Sequence, residues 1–351
     1  MHQKERQIMK QPSHSMRSKL FAGVTTFGIV SIALVGCSAT DPTASGSESA
    51  KDTITLGHAG APDSLQNKAA LQIKERVEEL TDGAVTVEVY PASQLGSWEE
   101  QQGSIEVGAQ DALIESPGSL ERYTDLAAVG VLPYLYANQD EFFEVWDGDL
   151  GADIIDQISE ESGFRLLGSF YRGPWLTATN KLIESPSDLA GVKIRVPNQA
   201  SVIATWEVFG ASPTPMALNE VFSALEQGAI DGVENPIDIH RYNSFYEVVP
   251  NIAETHHMYG NYHIQVWDEA YQAWPDNVRD AFDQAVEEAS LSYREASIAD
   301  AIESKKVMIE GGATFTEVDF DEWAAAAAPA YEKFPEAVQE WAAKVRESYG
   351  R

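Results

Sequence analysis

Arg195 is the residue whose setting points most directly to chemistry. It lies in a run where Val192, Ile194 and Val196 alternate with Lys193 and Arg195 until Pro197 stops the pattern, which predicts a short strand ending at a domain surface. A guanidinium fixed on so stiff an element offers a planar fork of donors matched to a carboxylate, and a flexible lysine does not reproduce it. A structural ion pair is the competing use of the same side chain. Catalytic patterns are missing: no glycine-rich phosphate loop follows a strand, and CxxC, HExxH and GxSxG are absent from the sequence. His256 and His257 are adjacent and would point to opposite faces of a strand, so they cannot share a metal ion. His240 and His263 read as hydrogen-bonded structural residues. A hydrolase would have to be assembled from Ser116, Glu115, Asp231 and His58, whose spacing gives no reason to converge. Neither enzyme activity nor a metal or cofactor is expected.

The elements that must position Arg195 follow a regular rhythm. Ile54 and Leu56 begin a strand, and Leu65, Ala69, Ile73, Val77 and Leu80 then recur at helical spacing. Val85, Val87 and Val89 alternate as the next strand, Ile105 to Val107 suggests a helix, and Ala112 to Ile114 another strand. These are βαβ units, and sheets built from them leave ligand crevices at the carboxyl ends of their strands. A second domain is expected near Gly173, after the strand-like stretch from Phe164 to Tyr171. From Asn277 to Glu310 there is neither Gly nor Pro, and Gly311 and Gly312 follow. A continuous helix there would span roughly 50 Å; two helices broken near Ser290 to Ser292 are the alternative.

Composition bounds the answer. The 351 residues suit two domains of ordinary size, and 44% hydrophobic with 23% charged residues is a globular balance. Fifty-five acidic against 24 basic residues give a net charge of -31, which repels phosphate backbones and makes nucleic acid an improbable partner. An anionic ligand would then depend on local positive charge.

The beginning of the chain reads as an address. Lys4, Arg6, Lys10, Arg17 and Lys19 precede a mostly apolar run from Leu20 to Val35, too short for a comfortable membrane span. The run ends in Leu34, Val35, Gly36 and Cys37, which resembles a bacterial lipobox. The expectation is a signal peptide over 1–36, lipid on Cys37, and a flexible tether over 37–52 rich in Ser, Thr, Ala and Asp. Cys37 is the only cysteine, so no intrachain disulfide can form.

Three segments carry a more specific resemblance: SPSDLAGVKIRVP at Ser185 to Pro197, GASPTPM, and NEVFSALEQGAIDGVENP. With PASQLG at Pro91 to Gly96 and LPYLY at Leu132 to Tyr136, they resemble the solute-binding component of TRAP transporters, the DctP family, from about Thr53 onward. The resemblance implies an α/β, two-lobed fold like that of periplasmic binding proteins, with a cleft between lobes and a long helix spanning both. It implies crossovers near Gly173 and Gly260, lobe I over 53–172 and 261–300, and lobe II over 173–260 and 301–351. It implies that Arg195 pairs with a ligand carboxylate, that Asn235 adds a polar contact, and that Glu115 is presented from the first lobe. A solvated loop acid is the other reading of Glu115, and His58 and Leu218 complete the candidate contacts.

Departures from the family narrow the ligand. Many members carry an arginine where this chain has Trp175, which could stack on a ligand or pack the hinge. Arg172, three residues earlier, need not reach the pocket. Leu218 stands where the sialic-acid branch usually has an aromatic residue, which disfavours sialic acid. The expected ligand is a small organic acid carrying one carboxylate, a sugar acid included. The expected partners are integral membrane permease subunits, with the protein held on the outer face of the cell membrane through Cys37. A lipid-anchored sensor module and a hydrolase of a small metabolite are the alternatives.

Overall fold

The computed structural model describes residues 51–350. The expected leader, Cys37 and the tether up to residue 50 lie outside the described residues. Lys51 already forms an ion pair with Asp111, and the Asp52 carbonyl accepts from the Thr86 N–H at 2.8 Å. The last two residues of the expected tether therefore belong to the folded body.

Ten strands carry the architecture: β1 (Thr53–His58), β2 (Thr86–Tyr90), β3 (Ala112–Glu115), β4 (Phe164–Thr179), β5 (Lys193–Val196), β6 (Ser212–Pro215), β7 (Gly232–Pro236), β8 (Asn251–Glu254), β9 (Tyr259–Trp267) and β10 (Thr314–Glu317). The first lobe is built on the order β2-β1-β3-β9-β4, in which β1, β2 and β3 run parallel and β9 antiparallel to both its neighbours. The second is built on β6-β5-β7-β4-β8-β10, with β5, β6 and β7 parallel. Parallel strands need crossovers, and helices supply them: Leu65–Leu80 between β1 and β2, Trp98–Glu106 between β2 and β3, and Ala200–Val208 between β5 and β6.

Strand β4 belongs to both sheets. Its first part pairs with β9 and its last residues, Trp175 to Thr179, pair with β7 and β8, with register shifts between Leu167 and Phe170 and between Tyr171 and Gly173. The two positions where the chain was expected to cross, Gly173 and Gly260, are register partners. Gly260 is needed for close approach, since a Cβ there would lie 2.8 Å from the Trp175 ring. The strand expected to stop at Tyr171 thus continues through the crossing, and bulges absorb the change of sheet.

The long helix is continuous over Asp276–Glu310 and does not break at Ser290 to Ser292. Its Val278, Phe282, Val286 and Tyr293 pack with Ile54, Ile73 and Ile264 of the first lobe, while Met308 packs with Val233 and Ile252 of the second. Residues 301–351, expected in lobe II, divide between the lobes. β10 pairs with β8 and Trp323 packs with Trp206, but the helix Glu336–Ser348 buries Val338, Trp341 and Val345 beside Phe142 and Ile154 of the first lobe. Helical periodicity reveals an apolar face without revealing which body it covers.

Candidate functional site

The carboxyl ends of three strands, one from the first sheet and two from the second, meet at one crevice. Glu115 closes β3, Arg195 lies one residue before the end of β5, and Glu234 and Asn235 lie at the end of β7; all four line a space of about 720 Å³, its mouth included. Ligand sites form at the carboxyl ends of such strands because chain reversals there leave a gap between the flanking loops. Trp175 and Arg172 enter from the crossing strand, Tyr262 from β9, and Leu218 from the loop after β6.

Arg195 is buried on a central strand, paired in register with Thr214 on one side and Val233 on the other. Its Nε and Nη2 both donate to the Met216 carbonyl, at 2.9 and 2.7 Å, which fixes the plane of the fork. Among the described residues no carboxylate lies within 4.0 Å of it. Desolvation pulls its pKa down to about 10, opposed by the charges of Glu234 and then Glu115, so it stays positive at neutral pH. A buried cation without a contacting counter-charge is costly, and an entering carboxylate relieves that cost.

Its neighbours have polar groups to spare. Asn235 is buried and its Nδ2 has no hydrogen-bond partner. Glu234 is buried with Oε2 unpartnered, 3.5 Å from the His257 Nε2 but not aligned for a hydrogen bond; the other ring nitrogen of His257 lies 2.8 Å from the Thr255 hydroxyl. Glu115 accepts from the Ser116 N–H at 2.8 Å, and burial raises its pKa, with the Arg172 charge the largest opposing influence. The crevice thus presents two guanidinium groups, a carboxamide donor and two carboxylate acceptors.

Of the candidate residues, the structure brings Arg195, Asn235, Trp175, Glu115 and Leu218 to the crevice. His58 is not among the lining residues. It is fully buried in the first lobe, its Nε2 lies 3.1 Å from Asn67 Oδ1, and desolvation lowers its pKa to about 4. The hydrolase set is not assembled either: Asp231 accepts from the Lys193 N–H and the Ser116 hydroxyl accepts from the Gly118 N–H.

Arg172, set aside at the sequence level, does reach the crevice. Its guanidinium lies 3.9 Å from the centroid of the Tyr262 ring and 4.4 Å from that of Trp175. Trp175 therefore does pack at the crossing, with Arg172 on one face and Gly260 near its edge. Residues three apart on a regular strand point to opposite faces; the register shift before Gly173 removes that alternation, and the YRGPW spacing carries no sign of it.

A two-lobed α/β body with convergent polar groups at its strand ends defines a ligand-capture protein, and comparisons with known proteins specify the class. The chain belongs to the DctP family, bacterial extracellular solute-binding protein family 7, whose model matches residues 56–337. It is similar to a solute-binding protein of Roseobacter denitrificans, 34% identical over 275 residues that cover 78% of this chain and 84% of the relative. The crystal structure of a TRAP periplasmic solute-binding protein from that organism, with bound L-galactonate, superposes with a TM-score of 0.80 at 31% identity, covering 84% of this chain and 99% of that one. A TRAP periplasmic solute-binding protein from Sulfurospirillum deleyianum, with bound succinate, gives a TM-score of 0.80 at 27% identity and covers 85% and 99%. The chain is a TRAP solute-binding protein of an extracytoplasmic family, and no described helix is long and apolar enough to cross a membrane.

Proposed function

We propose that this protein captures a sugar acid bearing one carboxylate, closes over it, and delivers it to integral membrane permease subunits while anchored by lipid on Cys37. The observation that carries the reading is the buried Arg195 fork, held flat by Met216 and facing a crevice with no internal carboxylate in contact. Asn235 adds a donor beside it. The ligand carboxylate would take these donors, and its hydroxyls would donate to Glu115 and Glu234, which an unsubstituted acid cannot do. Closure about β4 and β9 would bury the pair in lower dielectric, where it strengthens.

A dicarboxylate is the second reading, because Arg172 supplies a second cation at the crevice. Against it stand the same two carboxylates, which would repel a second anionic group in a confined space. The relative with bound L-galactonate makes that acid the first to try. Calorimetric titration is expected to show L-galactonate binding at least about tenfold more tightly than succinate, a gap of about 1.4 kcal/mol. Tighter binding of succinate would contradict the sugar-acid reading.

A further inference from the structure

We propose that Glu121 is a latch residue for lobe closure: its carboxylate, carried by the first lobe, caps the helix Ala200–Val208 of the second and holds the two sides of the ligand crevice together. The proposal rests on closure over a bound acid, as read above, and adds to it a contact that keeps the closed form closed.

The helix does not supply this cap from its own end. Its N-cap residue is Gln199, whose side chain makes no capping bond, where Ser, Thr, Asp or Asn would ordinarily accept from the first free N–H groups. The acceptor comes instead from a residue 80 positions away. One oxygen of Glu121 accepts from the Ser201 N–H at 3.2 Å and the other from the Ser201 hydroxyl, so both oxygens of the carboxylate are spent on one residue. Ser201 is buried at this point, and the carboxylate sits at the positive end of a nine-residue helix.

Both partners are joined to the ligand site by short lengths of chain. Glu121 follows the turn Pro117–Leu120 and lies six residues after Glu115 at the end of β3, and Ser201 lies six residues after Arg195 on β5. The two segments meet on the way, since a Cβ at Gly118 would lie 3.5 Å from the Gln199 side chain. Ser116 and Gln199 line the ligand crevice, whereas Glu121, Asn198, Ala200 and Ser201 line a second space of about 880 Å³, its mouth included. The same helix rests Ala204 and Val208 against the apolar core of the first lobe, so the latch fixes the end of the helix nearest the ligand. An acid held between Arg195 and Glu115 draws the two segments together, and the second space lets water reach the carboxylate when they part. The contact therefore favours the closed form over the open one, and a difference of that kind is what shifts a population.

The test compares Glu121→Ala, Glu121→Gln and Ser201→Ala by calorimetric affinity and stopped-flow rates with L-galactonate as the probe, and by urea unfolding of the ligand-free protein. Glu121→Ala is expected to bind roughly tenfold more weakly, the scale of a lost charged cap, through faster dissociation with association little changed. Ser201→Ala keeps the N–H and Glu121→Gln keeps an uncharged acceptor, so each is expected to lose about threefold, and Ser201→Ala is expected to add little once Glu121 is Ala. The ligand-free unfolding midpoint is expected to match wild type in all three, because parted lobes do not make the contact. A lowered ligand-free midpoint in Glu121→Ala would show a permanent structural cap and overturns the proposal, as does wild-type affinity in that variant. If the wild type binds succinate and not L-galactonate, the sugar-acid reading fails while the same comparison is made with succinate, since the latch acts through closure whichever acid fills the crevice. A wild type that binds neither acid removes both.

Discussion

Arg195→Met is expected to weaken capture of the ligand acid by roughly thirty-fold to several-thousand-fold, about 2 to 5 kcal/mol. Removal takes away a bidentate fork already oriented by Met216 and leaves the ligand carboxylate facing Glu234 and Glu115 with only Arg172 to balance them. Folding is not expected to suffer in proportion, because a buried charge with no contacting partner is replaced by an apolar side chain of similar length. Arg195→Lys should recover little of the affinity, since an ammonium cannot reproduce two parallel bonds in one plane. Calorimetry checks both variants, and a loss below about threefold for Arg195→Met would place the carboxylate elsewhere.

The second large effect concerns the scaffold. Phe170→Ala is expected to destabilise the protein by about 3 to 5 kcal/mol, the usual range for emptying a well-packed aromatic site. Phe170 is fully buried on β4, just beyond a register shift, and meets Tyr293 of the long helix edge-on with ring centroids 5.5 Å apart. Gly168, close by, has φ +65°, and a Cβ there would come within 2.7 Å of Val286 on the same helix. The contact fastens the long helix to the strand shared by both sheets, so the cavity cannot close by a small local shift. Phe170 is not a crevice residue, so variant protein that remains folded should keep nearly wild-type affinity. Urea unfolding measures the stability, and a change under about 1 kcal/mol would show that the long helix is not held at this point.

The sequence made the parallel strands and the long helix legible because their apolar residues recur at fixed periods and because no Gly or Pro interrupts residues 277–310. It made Arg195 legible through a strand that ends in proline at the surface of its sheet. Three features were hidden for identifiable reasons. The reach of Arg172 depends on bulges in β4, which leave no periodic mark. The withdrawal of His58 depends on Asn67, a partner supplied by the following helix. The return of the C-terminal helix to the first lobe depends on which body its Trp341 and Val345 meet. Local pattern predicts local structure well, whereas side-chain direction near a bulge and the destination of an apolar face are decided by tertiary packing.

Conversion of the charge pattern into function turns on where positive groups sit within a negative molecule. The chain carries a net charge of -31, yet two guanidinium groups line the crevice, and neither touches an acid among the described residues. Surface acids at a distance are screened by salt within about 8–10 Å, but the buried arginines are not. Because Glu115 and Glu234 line the same crevice, attraction for an anion is confined to the place where Arg195 and Asn235 offer their donors, which favours a small ligand with one acid group over a bulky polyanion.

Determining the structure of the protein saturated with the acid recovered from freshly purified material, or with L-galactonate if none is recovered, tests the central claim most directly. The expected result is one carboxylate accepting hydrogen bonds from Arg195 and Asn235, with ligand hydroxyls directed at Glu115 and Glu234. An acid bound with its carboxylate away from Arg195, or lodged outside the crevice between the two sheets, would contradict it.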